Sequence, residues 1–175
     1  TAWDLGIADS TAIWFYQQMR GEPVVRVIDY FEASGEGLHH YIAELKNRDY
    51  VYGQHYLPHD VMVRELGSGT VVHKLPIQDG IEAVRAVIPR CHFDRGNCAD
   101  GLKKLRSYHR IFNDRTGDWA DRPKHDHNSH AADSFRYLAV GIRDGRPADE
   151  FSAMARTGKM SGGQPVIKDD YNELG

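Results

Sequence analysis

Apolar and polar residues alternate through most of the first third of the chain. Residues 1–7 and 10–19 read as two strands around a tight turn at Gly6 to Asp9. VVRVIDYFE, from Val24 to Glu32, reads as a third strand after the turn Arg20-Gly21-Glu22-Pro23. Three short strands joined by tight turns predict an antiparallel meander. The period then lengthens: between Gly37 and Tyr50, residues Leu38, Tyr41, Ile42 and Leu45 fall on one helical face opposite charged ones. YGQHYLPHD follows as a short strand ending in polar residues, then a short helix, then TVVHKL as another strand. Ile81, Val84, Val87 and Ile88 mark a helix that Pro89 stops. A third helix is expected from about Ala99 to Phe112, burying Leu102, Leu105 and Phe112. Residues 113–128 have no period and read as a loop or a two-stranded ribbon. The last strong element runs from Ser129, a candidate N-cap, to about Arg143, with Ala132, Phe135, Ala139 and Ile142 facing inward. Three strands followed by alternating helix and strand argue for a mixed α/β sheet with helices on its faces.

Composition narrows this picture only a little. The 175 residues suit one folded unit, expected over 1–145, followed by a polar, Gly-rich and flexible tail over 146–175. With 41% hydrophobic and 27% charged residues the chain reads as an ordinary soluble domain, and no apolar run approaches membrane-spanning length. Cys91 and Cys98 are too few for a disulfide framework and lack zinc-knuckle spacing, which points to a reducing compartment. A net charge of -3 does not itself favour a nucleic-acid partner, but local patches and bound cations outweigh the sum. Strand-like sequence starts almost at once from Thr1, without a starting Met, so a domain cut from a longer chain is expected.

Three carboxylates stand out because each is set among residues of regular structure. Asp4 falls within the first strand, where an unpaired acid costs several kcal/mol. Asp60 follows the Tyr-Leu-Pro-His that ends a later strand, and Asp133 falls in the first turn or so of the final long helix. If the first and fourth strands are neighbours, Asp4 and Asp60 meet at one sheet edge and the last helix brings Asp133 across it. Three clustered carboxylates cannot all ionise without a cation among them, and hard oxygen donors suit Mg²⁺ or Mn²⁺. Two such ions about 4 Å apart clamp the attacking and leaving oxygens of a phosphodiester. The structural alternatives are a helix-dipole role for Asp133, a capping role for Asp60 and a turn role for Asp9.

On these residues the chain resembles the C-terminal nuclease domain of the large terminase subunit of tailed bacteriophages. WDLGIADST matches the first-strand motif, YLPHD the acid after the fourth strand, and HNSHAADSFRYLA the Ser-His-Ala-x-Asp pattern entering the final helix. The resemblance implies an RNase H-like, RuvC-like fold: three antiparallel strands followed by parallel strands, flanked by helices. It implies Asp4, Asp60 and Asp133 as catalytic metal ligands with Asp9 as a further one, and two Mg²⁺ or Mn²⁺ ions. It also implies cleavage of concatemeric double-stranded viral DNA during genome packaging, in the cytoplasm of an infected bacterial host. The implied partners are an N-terminal ATPase motor domain of the same full-length chain, the small terminase subunit and the portal protein, with no membrane. No G-x-x-x-x-G-K-[ST] occurs here; Gly-Ser-Gly-Thr at 67–70 is followed by Val71.

Histidines and basic residues surround these motifs. His125, His127 and His130 gather before Asp133, and His55 and His59 flank the second motif. HDHNSH lacks the i, i+4 geometry of a helical zinc motif. His59 and His130 read as residues that orient ligands or touch phosphate, or as surface or core packing. Lys103, Lys104, Arg106 and Arg110 suit DNA phosphates from one helix, and equally a solvated face. Arg115, Arg122 and Lys124 suit the DNA backbone from the ribbon, where Trp119 either stacks on DNA or packs the ribbon down. Two other functions share these features: a Holliday-junction resolvase or exonuclease of the same fold, and a non-catalytic DNA-binding or docking domain with capped acids.

Overall fold

The computed structural model describes residues 1–6, 9–19, 22–58, 69–72 and 75–144. Strands β1 (Ala2–Asp4), β2 (Ser10–Gln18) and β3 (Val25–Ser34) form the antiparallel meander that the alternation predicts. Helix α1 (Leu38–Asn47) follows, then the short strands β4 (Tyr56–Leu57) and β5 (Thr70–Val71). Next come α2 (Ile77–Val87), a single 3-10 turn over 88–90, β6 (Cys91–Phe93) and α3 (Ala99–Ser107). The chain continues through the ribbon strands β7 (Arg110–Asn113) and β8 (Asp118–Pro123) into α4 (Ser129–Asp144).

The main sheet has the order β5-β4-β1-β2-β3-β6, with β4 parallel to β1, β5 parallel to β4 and β6 parallel to β3. Antiparallel strands come first and parallel ones are added at both edges, with helices on both faces, as the fold class anticipated. On one face Trp3, Ile13, Phe15 and Leu57 pack under Tyr41 and Leu45 of α1. On the other, Ala2, Ala12, Trp14, Val25 and Val27 pack under Phe135, Leu138 and Ala139 of α4, with α2 and α3 beside it. Two buried bonds fix α4 on this face: Trp14 Nε1 donates to the Ala131 carbonyl at 2.9 Å, and Ser134 Oγ to the Ala2 carbonyl at 2.8 Å. Gly101 lets α3 approach closely, since a Cβ there would lie 2.6 Å from Cγ of Tyr30.

A bulge in β3 decides which side chains reach the α4 face. Phe15 pairs with Asp29 but Tyr16 pairs with Val27, so Ile28 is an extra residue. Val25 and Val27 face α4 before the bulge; after it the same face is taken by Tyr30, because one inserted residue reverses the alternation.

Several boundaries differ from the sequence reading. β1 ends at Asp4 rather than at residue 7, so the carboxylate stands at the strand terminus, not in its interior. β6 was not anticipated: CHF has three residues, too few to show a period, and its pairing with β3 is what makes it a strand. The third helix stops at Ser107, so Arg110 and Phe112 belong to the ribbon, where Phe112 is 43% exposed instead of buried. Asp133 lies in the second turn of α4, and the first turn carries no acid. The Ser129 hydroxyl donates to the Asp126 carbonyl at 2.7 Å, a bond to the preceding loop and not to the helix's own amides. The expected short helix after YLPHD, His59, Asp60 and the 146–175 tail lie outside the described residues.

Candidate active site

The site is built where β1 ends and α4 begins. Asp4 closes β1, and α4 crosses the same face carrying His130, Asp133 and Arg136 at intervals of three residues. Successive threes keep neighbouring side chains on adjoining parts of one helix surface. His130 is buried, with 7% of its side chain exposed, and its Nδ1 lies 3.2 Å from Asp4 Oδ2 while its Nε2 lies 3.1 Å from Asp9 Oδ1. A neutral imidazole carries one N–H; only the imidazolium donates from both nitrogens at once. The hydrogen bond to Asp4 accordingly raises the His130 pKa above that of a free histidine, against the opposing effect of burial, with the charges of Asp9, Asp4 and Glu32 adding to it.

Asp9 is the exposed member. Its carboxylate accepts the Ser10 N–H at 2.9 Å, which lowers its pKa before any contribution from His130 or His125. It thus serves the turn and joins the site through His130. His125, held by Ser129 Oγ at 2.9 Å, stands 3.9 Å from the other Asp9 oxygen.

Asp133 is paired through Oδ1 with Arg136 Nη1 at 3.0 Å. Its pKa is raised, first by burial and then by the charge of Asp4, with Arg136 opposing. Asp4 and Asp133 are therefore near enough to repel, the situation that a cation between them relieves. Both offer only oxygen, the donor type that Mg²⁺ and Mn²⁺ take. Among the described residues no group of three or more His, Cys, Asp or Glu side chains is arranged to hold a metal ion. The expected third ligand, Asp60, lies outside those residues; β4, which precedes it, runs parallel to β1.

Glu32 escaped the sequence reading. It shares a row with Asp4 across the sheet, since Asp4 pairs with Ala12 and Ala12 with Glu32. Its Oε2 accepts from the Tyr30 hydroxyl and from Lys104 Nζ, the latter at 2.6 Å. The alternation of β3 would have revealed this side of Glu32 only if the bulge at Ile28 had been foreseen. The pairing also settles Lys104, which the helical face suggested for DNA: its side chain is 16% exposed and its ammonium is taken by Glu32 and by Asp100.

The remaining predicted residues separate into three groups. Lys103 and Arg106 are exposed on α3. Arg110, Arg115, Arg122 and Lys124 are exposed on the ribbon and just after it, with Arg110 Nε donating to the Ala120 carbonyl and Lys124 pairing with Asp126 at 3.4 Å. Trp119 is 58% exposed and meets only the ribbon's own Phe112, ring centroids 5.0 Å apart, among the aromatic contacts of the described residues. His55, by contrast, is a core residue: it meets Thr1 Oγ1 at 2.6 Å, and burial lowers its pKa to about 4.

Fold and site together define a mixed α/β domain of RNase H-like topology, with one acid at the end of its first strand and a second on the helix that crosses it. Two solved structures share that fold. The large terminase of a thermophilic bacteriophage aligns with 81% of this chain at a TM-score of 0.63 and 18% identity. This chain spans 39% of that protein's length. The nuclease domain of the g2p large terminase of bacteriophage SPP1, solved with bound Mn, aligns with 82% of this chain and 84% of its own length, at a TM-score of 0.61 and 15% identity. No protein-family model and no curated protein matches the sequence.

Proposed function

We propose that this chain is a divalent-metal-dependent DNA endonuclease, the nuclease part of a phage large terminase that cuts concatemeric viral DNA during genome packaging. The observation that carries this reading is the docking of α4 on the end of β1: His130 lies 3.2 Å from Asp4, and Asp133 follows one turn further along the same helix, paired with Arg136. The nuclease fold shared with two phage terminases supports it.

Asp4, Asp133 and Asp60 would hold two Mg²⁺ or Mn²⁺ ions, with Asp9 a further ligand reached through the turn. When bound, the ions supply Lewis-acid stabilisation of the phosphate oxygens and a nucleophilic water at neutral pH. His130 holds the Asp4 carboxylate at one oxygen, and His59 is assigned the same kind of orienting role near Asp60. Lys103 and Arg106 on α3, with Arg110, Arg115, Arg122 and Lys124 along the ribbon, would bind the phosphate backbone of double-stranded DNA. Phosphate contacts position a duplex without reading its bases, so sequence preference is expected to be weak. The motor domain, small terminase subunit and portal protein would then supply targeting, in the host cytoplasm. No described helix is long and apolar enough to cross a membrane.

Supercoiled plasmid incubated with Mn²⁺, Mg²⁺ or EDTA tests this reading. The wild type is expected to nick and linearise it with Mn²⁺ or Mg²⁺, and Asp4→Asn and Asp133→Asn to lose at least about 100-fold in rate while keeping their circular dichroism. Equal cleavage by all three proteins would overturn the assignment of the site.

A further inference from the structure

Next to the Asp133 turn, α2 and α4 touch. Arg136 leaves α4 one turn beyond Asp133 and runs against α2, with 17% of its side chain exposed. Opposite its aliphatic stem stands Gly80, which is buried. A Cβ at position 80 would lie 2.6 Å from Cγ of Arg136 and closer still to Cδ, nearer than carbon atoms approach without one of them moving. Glycine is otherwise a poor choice for the interior of an 11-residue helix, where it costs about 1 kcal/mol against alanine. The missing side chain leaves a channel, and the Arg136 stem fills it.

The channel has a consequence at the acid. With its stem confined by α2, Arg136 has few ways to place its guanidinium, and the one it takes puts Nη1 3.0 Å from Asp133 Oδ1. That ion pair takes up one oxygen of the acid and leaves Oδ2 for any other partner. We propose that Arg136 is a positioning residue for Asp133 and that Gly80 is its seat, so that α2, which carries none of the predicted ligands, sets the orientation of the acid for its metal. The proposal rests on the reading of Asp133 as a metal ligand.

An account in which Arg136 is only a nearby positive charge makes the opposite prediction. Removing a cation from beside a metal site should tighten metal binding. If Arg136 acts by orientation, removing it should loosen binding, as loss of a partner to a metal-binding side chain does, by about 10-fold or more. Gly80→Ala should have the same effect without changing any charge, by displacing the arginine.

The test uses the full chain, titrated with Mn²⁺ alone and followed by the EPR signal of the free ion, beside thermal melts in EDTA. Five proteins are compared: wild type, Gly80→Ala, Arg136→Ala, the double variant, and Arg136→Lys. Gly80→Ala and Arg136→Ala are each expected to weaken Mn²⁺ binding about 10-fold, and Arg136→Lys, which keeps the charge without the planar fork, to do nearly the same. Gly80→Ala is expected to lower Tm by about 5 °C in the wild-type background and to raise it by a few degrees in Arg136→Ala, where the channel is empty and only the helix preference of alanine over glycine remains. Tighter Mn²⁺ binding by Arg136→Ala would overturn the positioning role. So would an equal Tm loss from Gly80→Ala in both backgrounds, because the glycine would then be accommodating something other than the arginine. A folded wild type that binds no Mn²⁺ would overturn the metal-site reading and with it the positioning role, leaving the Tm coupling as a packing result alone.

Discussion

His130→Ala separates a structural histidine from a charged bridge between two acids. In the folded protein both ring nitrogens face carboxylate oxygens, Asp4 at 3.2 Å and Asp9 at 3.1 Å. The Asp4 side chain is 20% exposed and Asp9 58%, so the two bonds are unequal. A hydrogen bond to the better-shielded Asp4 contributes about 1.5 kcal/mol, and the contact with Asp9, which lies in solvent, adds little to it. Because the folded pKa of His130 is raised, this stabilisation is fully present below the unfolded pKa of about 6.5 and is lost as pH rises through the folded pKa. Loss of the buried ring also removes packing, but that cost is the same at every pH. The measurement is therefore the difference between wild type and variant in urea unfolding at pH 5.5 and at pH 9, both in EDTA. The gap is expected to be wider at pH 5.5 by about 1–2 kcal/mol, or a midpoint difference of roughly 1 M urea for a slope of 1–3 kcal/mol/M. A gap of the same size at both pH values would refute the bridge and leave His130 as packing.

Three further outcomes follow from the geometry. Gly101→Ala should destabilise by about 1–3 kcal/mol in chemical denaturation, because its new methyl meets the rings of Trp14 and Tyr30, both buried in the core. Arg48→Ala should cost about 2–3 kcal/mol in the same assay: its guanidinium pairs with Asp29 and Glu44 and lies 4.9 Å from the ring centroids of both Phe15 and Phe31. Trp119→Ala should leave Tm within about 1 °C, since the indole is 58% exposed and its aromatic contact among the described residues is with the ribbon's own Phe112, so any loss of DNA affinity in that variant reports on binding and not on folding.

Local pattern was enough for the elements with a strong period. The meander, α1, α2 and α4 were legible because alternation and the 3.6-residue repeat each persist long enough to be counted. The same repeat overextends the third helix: Leu102 and Leu105 start a helical pattern that Phe112 continues in spacing, although Phe112 is on a ribbon facing Trp119. Nothing in nearest-neighbour spacing distinguishes an aromatic that packs on a core from one that packs on its hairpin partner. β6 was invisible because three residues acquire strand geometry only from their pairing with β3.

The sequence by itself named the side chains proposed to carry the chemistry. Asp4, Asp9, His130 and Asp133 sit in motifs whose spacing places them at the ends or on the faces of elements, and the structure brings Asp4, Asp9 and His130 into direct contact, with Asp133 in electrostatic reach of Asp4. What only the tertiary structure decided is the surroundings of each acid, although Arg136, one turn after Asp133, already reads from the sequence as its ion-pair partner. The bulge at Ile28 sets the face on which Glu32 stands, and Glu32 takes Lys104 away from solvent; the gap at Gly80 gives Arg136 its path to Asp133. Lys104 and Gly80 each lie far along the chain from the residue they serve. A one-dimensional pattern reports how a residue relates to its neighbours in the chain, whereas the orientation of a carboxylate depends on whatever surface the fold lays against it.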